Sequence, residues 1–172
     1  MPFFEELEQA NAAYAASGAH ESLPVRPSRQ LAVVTCMDAR IDVFAVLGLS
    51  LGDVHVIRTA GGRVTDDVKR SLALSCHALG VRRVAVITHT RCGLHDPDGE
   101  LDDKMAEAMG HPPDTIEWYG FAAPEAAVER DCARLAAWPD RPAGFELAGY
   151  VLDIDEGRLT NVVPARVVPD PA

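Results

Sequence analysis

LAVVTC (31–36), VHVIR (54–58) and VAVITH (84–89) decide the fold. Each is a short run rich in Val and Ile and bounded by polar residues or Gly, the pattern of strands buried on both faces of a parallel sheet. Between the last two, VTDDVKRSLALSCHALG (64–80) reads as a helix. Thr65 is placed to cap its start, Asp66 and Asp67 fill the first turn where the helix dipole favours acids, and Gly80 is placed to end it. Val68, Leu72, Cys76 and Leu79 form the face turned to the sheet, which makes Cys76 a small buried hydrophobe. Strands alternating with helices specify an α/β fold, a mostly parallel central sheet flanked by helices. In such sheets ligands gather outside the carboxyl ends of the strands.

On the amino-terminal side, Phe3, Leu7, Ala10 and Tyr14 share one helical face, predicting a helix over 3–17 that stops at Gly18. The stretch GAHESLPVRPSRQ (18–30) holds two prolines and reads as an extended connector. The first helix is therefore expected to stand detached from its own core and to need a partner surface; folding back onto its own domain is the alternative. On the carboxyl-terminal side, residues 94–144 are less regular. The acidic patch HDPDGELDDK (95–104), then GHPP (110–113) and TIEWYGF (115–121), read as an excursion, and AAPEAAVERDCARLAAW (122–138) as a helix ending before Pro139. Trp118, Tyr119 and Phe121 are expected in the core, and Cys132 has no partner at metal spacing. FELAGYVLDIDEGRLTNVVP (145–164) reads as two strands around the turn Asp155, Glu156, Gly157.

A chain of 172 residues suits one domain over 1–172, with its core at 31–164 and the detached helix at 1–20. The apolar share of 48% with 24% charged residues is that of a soluble globular protein, and no apolar run approaches the roughly 20 residues that span a bilayer. The net charge of -10 repels phosphate backbones and anionic membranes, so neither nucleic acid nor membrane is expected as a partner. The first residues, MPFFEELEQANAAYAAS, carry acids where a secretory signal carries bases, which points to the cytoplasm. In that reducing setting Cys36, Cys76, Cys92 and Cys132 read as thiols or metal ligands rather than a disulfide framework.

Three groups of the kind that bind zinc lie at carboxyl ends of the expected strands. Cys36 closes the first, His89 closes the third, and Cys92 follows in the turn. If the third strand lies beside the first at a topological switch point, their ends stand about 5 Å apart and the three side chains can surround one ion. Two thiolates and an imidazole leave the fourth tetrahedral place to water, the catalytic arrangement rather than the closed structural one. Two residues in CMDAR strengthen the reading. In an extended loop Cys36, Asp38 and Arg40 point the same way, so a carboxylate can orient the water while an arginine holds that carboxylate ionised. An exposed ion pair is the plainer reading of Asp38 and Arg40.

TCMDAR (35–40), VIRTAGGRVTDDVKRSLALS (56–75) and THTRCG (88–93) together resemble the β-class carbonic anhydrases, particularly their short bacterial members. That family is marked by Cys-x-Asp-x-Arg followed later by His-x-x-Cys, and all five positions match. The resemblance is strong from Leu31 to about Leu94 and weaker from Phe145 to Pro164. It implies zinc on Cys36, His89 and Cys92 and a catalytic dyad of Asp38 and Arg40. It also implies a homodimer or dimer of dimers in which the amino-terminal helix crosses to the neighbour. Two positions depart from the pattern: Thr59 stands where many members have Asn, and Arg91 lies inside the His-x-x-Cys turn, where it either draws in bicarbonate or sits in solvent.

The function implied is reversible hydration of carbon dioxide to bicarbonate by ionised zinc-bound water. Two thiolates cancel the formal charge of the ion, so its water should ionise less readily, and the fourth position is open to a competing anion when hydroxide is scarce. Asp38 is the nearest such anion, and the family includes forms in which the matching aspartate takes that position after parting from its arginine. Hydration that is weak near pH 7 and rises above about pH 8 is the expectation. His55, His77, His95 and His111 are candidate proton shuttles that sequence cannot rank. The rival enzyme is a hydrolase of carbonyl sulfide or carbon disulfide on the same metal motif. The rival from another class is a non-enzymatic zinc-binding or thiol-redox protein, which has no need of Asp38 and Arg40.

Overall fold

The computed structural model describes residues 2–19, 22–112 and 116–170. Met1, His20 and Glu21 of the first helix and its connector, residues 113–115 of the excursion, and residues 171–172 lie outside the described residues. The elements in chain order are α1 (Phe3–Ala16), β1 (Leu31–Cys36), α2 (Val43–Leu47), β2 (Val54–Thr59), α3 (Asp66–His77), β3 (Arg83–His89), α4 (Leu101–Met109), α5 (Pro124–Ala136), β4 (Glu146–Leu152) and β5 (Leu159–Val167).

The strands form one sheet in the order β2-β1-β3-β4-β5. The first four are parallel, and β5 returns antiparallel to β4. Thr35 of β1 stands beside Arg58 of β2 on one side and Ile87 of β3 on the other. The chain order thus reverses at β1, which makes the end of β1 a switch point and fulfils the condition under which the three ligand types can meet.

The period-2 alternation of the strands supplies two cores. Ala32, Val34, Val84, Val86, Leu147 and Val151 pack with Val68, Leu72 and Cys76 of α3 and Val128, Cys132 and Leu135 of α5. On the other face Val33, Ile87 and Leu152 pack with Ile41, Val43, Cys36, Cys92 and Phe121. Thr65 caps α3 by accepting from Val68 N, as its position predicts. The α3 face differs from expectation by one residue: Ser75 is buried and Leu79 only half-buried. Ser75 Oγ is 2.9 Å from His55 Nδ1, so the buried hydroxyl is satisfied.

Two helices were not legible in the sequence. The second half of the acidic patch enters α4, with Asp102 and Asp103 in its first turn and Gly110 in the left-handed conformation that ends it. Acids at a helix start stabilise it through the dipole, so the charge run marks a helix rather than irregular chain. The five-residue α2 rests on Asp42, whose side chain accepts from Phe44 N and Ala45 N.

Gly62 and Gly149 mark the closest packing. Gly62 has φ +67, and a Cβ there would lie 2.9 Å from Ile87 O and 3.0 Å from Cys36 N, so only glycine lets the loop after β2 cross the ends of β1 and β3. At Gly149 a Cβ would meet Val128 Cγ1 at 2.4 Å, which is why α5 can lie so close on β4. The same loop is tied to α5 by a buried ion pair. Arg63 Nε bonds Asp131 Oδ2 at 2.6 Å, Nη2 bonds Oδ1 at 3.3 Å, and Nη1 donates to Tyr119 O. Their side chains are 2% and 0% exposed. Asp131→Ala leaves the Arg63 charge buried and unpaired, and is expected to cost about 3–5 kcal/mol of stability in urea unfolding. A loss below about 1 kcal/mol would show that water replaces the carboxylate.

Candidate metal centre

β1 ends at Cys36 and its neighbour β3 ends at His89, so adjacent parallel strands deliver a thiol and an imidazole to the same end of the sheet. Three residues on, the turn brings back Cys92. The ligand atoms of Cys36, His89 and Cys92 lie within 4.8 Å of one another, and all three residues are buried. The two Sγ atoms are 4.0 Å apart. Two sulfurs bound tetrahedrally to one zinc at about 2.3 Å stand about 3.8 Å apart, so the thiols are spaced for a shared ion.

His89 points the same way. Its Nδ1 lies 2.9 Å from Thr90 O and donates to it, which leaves the lone pair on Nε2. Nε2 is buried and has no hydrogen-bond partner. A buried nitrogen aimed at two thiols with nothing to bond is costly unless a cation completes it. The donor set therefore fits zinc.

The thiol chemistry agrees. The hydrogen bond with Cys92, helped by His89, lowers Cys36 to about 4 against the opposing effect of burial. Cys92, bonded to a thiolate and buried, is pushed far up. Leu94 N donates to Cys92 Sγ at 3.5 Å. Cys76 and Cys132 sit in the other core cluster and are raised by burial, to about 11 and about 12.

Asp38 Oδ2 lies 3.8 Å from His89 Nε2, at the mouth of this cluster. Arg40 grips its carboxylate with two prongs, Nε to Oδ1 at 2.9 Å and Nη2 to Oδ2 at 2.6 Å, while Arg40 N bonds Oδ1 at 3.0 Å. These bonds from Arg40 hold the carboxyl far below its usual range. Arg40 Nη2 also donates to Arg91 O at 3.1 Å, joining the pair to the turn that carries Cys92. The alternation read from CMDAR does bring Cys36, Asp38 and Arg40 to one place.

The family model for carbonic anhydrase matches residues 31–117, which spans Cys36, His89, Cys92, Asp38 and Arg40. The chain belongs to the β-carbonic anhydrases. It is 40% identical over 152 residues to β-carbonic anhydrase 1 of Mycobacterium tuberculosis, covering 87% of this chain and 91% of that one. A carbon disulfide hydrolase of Saccharolobus solfataricus is 47% identical over 155 residues, covering 76% of each chain. Among solved structures, the carbonic anhydrase of Streptococcus mutans superposes with a TM-score of 0.86 at 37% identity, covering 94% of this chain and 98% of that one.

Within this β-carbonic anhydrase the four candidate shuttles separate. His55 bonds Ser75, His77 Nε2 meets Asp140 O at 2.6 Å, and His111 Nδ1 meets Pro112 O at 2.9 Å. His95 Nε2 likewise meets a carbonyl, Ala122 O at 3.0 Å, and is set apart only by lining, with His89, Arg91 and Phe121, a cavity of about 160 Å³. Arg91 sits in solvent, where its exposed side chain pairs with the similarly exposed Asp155. Thr59 Oγ1 donates to Arg63 O at 3.2 Å, so the departure from Asn is filled by a bond across the glycine turn. Trp118 and Tyr119 are half-buried and line a cavity of about 610 Å³, while Phe121 is fully in the core.

The sequence reading missed two groups bonded to this segment: the Arg91 carbonyl, which accepts from Arg40, and the Arg58 side chain, which donates to the carbonyls of Cys36 and Asp38. A backbone carbonyl leaves no trace in residue type. Arg58 did leave one, as a charge at the carboxyl end of a strand beside β1.

Proposed function

We propose that the chain catalyses the reversible hydration of carbon dioxide to bicarbonate, with zinc on Cys36, His89 and Cys92 and with Asp38 and Arg40 as its catalytic pair. One observation carries the reading: a carboxylate locked in its ionised form stands 3.8 Å from the unpartnered His89 nitrogen, beside two thiols spaced for an ion. Cys36, His89 and Cys92 would hold a zinc ion, and bound there it would supply the Lewis acidity that makes a water nucleophilic toward carbon dioxide. Asp38, ionised and 3.8 Å from His89 Nε2, would accept a hydrogen bond from that water and so orient it. Arg40 keeps Asp38 ionised and is itself aimed by the Arg91 carbonyl. His95 is placed to pass the product proton outward from the cavity it shares with His89.

A second reading, hydrolysis of carbon disulfide, is favoured by the 47% identical relative of that name. Direct assay of the purified protein with carbon dioxide, carbonyl sulfide and carbon disulfide decides between them. Carbon dioxide is expected to be turned over fastest, and a chain that hydrolyses carbon disulfide but leaves carbon dioxide untouched would overturn the first reading.

The working unit is a homodimer or a dimer of dimers, placed in the cytoplasm. Among the described residues no helix is long and apolar enough to cross a membrane, and all four cysteines are free thiols. α1 buries none of its residues, and Phe3, Phe4 and Leu7 are at least half exposed. On the sheet face away from α3 and α5, a groove of about 300 Å³ lined by Leu31, Leu47, Leu49, Ala85, Ile87 and Tyr150 has the apolar character such a helix needs. α1 of a second copy fits this groove. Deleting residues 1–20 is expected to weaken the dimer at least tenfold in sedimentation equilibrium, a change of about 1.4 kcal/mol. A full-length chain that sediments as a monomer at micromolar concentration would refute this role of α1.

A further inference from the structure

Past Cys36 the β1 backbone leaves the sheet ladder, and its polar groups need other partners. β2 supplies them. Thr59, the residue opposite Cys36, accepts Met37 N at 2.9 Å and extends the ladder by one bond. Arg58 then reaches over with its side chain: Nε donates to Cys36 O at 3.0 Å and Nη2 to Asp38 O at 2.6 Å. One guanidinium thus bridges the carbonyl of the first zinc-site cysteine and that of the dyad aspartate, two residues apart. Its position faces solvent, so burial does not explain it.

We propose that Arg58 is a positioning residue that fixes the Cys36–Asp38 segment and so sets where the Asp38 carboxylate stands relative to the metal site. The dyad is then braced on two sides. Arg58 holds the Asp38 backbone to β2, and the Arg91 carbonyl holds the Arg40 guanidinium to the His89–Cys92 turn. Between these braces the carboxylate is kept at 3.8 Å from His89 Nε2. Only a planar fork with two donors in fixed geometry can span both carbonyls; an ammonium is a single point charge on a flexible stem. Misplacing a catalytic group by about 1 Å costs on the order of 10²-fold in rate, which makes the clamp consequential although Arg58 touches no reacting atom.

The proposal rests on the hydratase reading, and its test separates the two. Wild type, Arg58→Ala and Arg58→Lys are loaded with zinc and compared for zinc content, hydration kinetics, and hydrogen exchange of peptides spanning residues 36–41 and β3. Each variant is expected to keep about one zinc per chain, because the three ligands are untouched. In Arg58→Ala kcat should fall about 10- to 100-fold with KM changed less than about twofold, the signature of an interaction lost in the transition state. Exchange should quicken in residues 36–41 and stay unchanged in β3. Lysine should not restore the rate, whereas guanidinium added well below unfolding concentrations should restore part of it to Arg58→Ala. Unchanged kcat, unchanged protection of 36–41, full recovery with lysine, or zinc lost in step with activity would each overturn the clamp. If the wild type itself fails to hydrate carbon dioxide, the hydratase reading falls, and the exchange of residues 36–41 still decides whether Arg58 fixes the segment.

Discussion

Cys92→Ser is expected to bring zinc from about one ion per chain to a tenth or less, while Cys76→Ser leaves it unchanged. Both cysteines are buried, but they differ in surroundings. Cys92 Sγ sits 4.0 Å from Cys36 Sγ and takes the Leu94 amide, whereas Cys76 is raised to about 11 by burial among the side chains of α3 and the sheet. A serine hydroxyl keeps its proton at neutral pH, so it offers zinc no anion. The protons give an independent check. In the metal-free protein the hydrogen bond between the two thiols lowers Cys36 and raises Cys92, which favours one proton shared by the pair. Zinc must expel it. Uptake at pH 7 should release about one proton per chain, and affinity should fall as pH drops, because acid returns protons to the thiolates. Metal analysis with an indicator titration reads both. Full zinc in Cys92→Ser, with its circular dichroism unchanged, would remove Cys92 from the ligand set.

How far the sequence carried this site depends on what kind of group each part of it is. LAVVTC coincides with β1 because a fully buried parallel strand must be apolar throughout, and Cys36 is legible as the reactive residue that ends it. The β1–β3 adjacency enters the sequence argument only as the condition under which the three ligand types can meet, and the sheet order fulfils that condition. By contrast, α2 and α4 depend on a single capping side chain or on acids at a helix start, signals too short to outweigh an irregular reading. Arg63 illustrates a further limit. Its charge suggests a surface residue, yet it is 1% exposed because Asp131, far along the chain, meets it inside the core. Periodicity describes local faces and carries no information about such distant pairings. The bonds from Arg58 to the Asp38 carbonyl and from Arg40 to the Arg91 carbonyl are tertiary in the same sense.

Asp38→Asn is expected to keep zinc and lose activity, and it distinguishes an enzyme from a metal store. Asparagine has the size of aspartate but presents one carbonyl oxygen and an amide that repels the Arg40 donors, so the two-pronged pair at 2.9 and 2.6 Å cannot form. None of the three ligand atoms is altered, and about one zinc per chain should remain. The rate should fall by about 10- to 100-fold, the usual cost of losing a group that orients what the metal holds. The pH profile sharpens the argument. Arg40 holds the Asp38 carboxyl far below its usual range, so it is ionised across the whole neutral region. Its own proton therefore cannot produce a rise in rate above pH 8. Such a rise must come either from ionisation of the water or from Asp38 leaving Arg40 for the metal at lower pH. The variant separates these, since an amide competes poorly as a zinc ligand. If parting of the pair is the cause, Asp38→Asn should show a low rate with a flattened pH dependence; if water ionisation alone is the cause, the rise should persist at the reduced rate. Stopped-flow hydration from pH 6 to 9, with zinc measured on the same samples, provides the comparison. Loss of zinc in proportion to activity would make Asp38 a structural support of the site and withdraw its catalytic role.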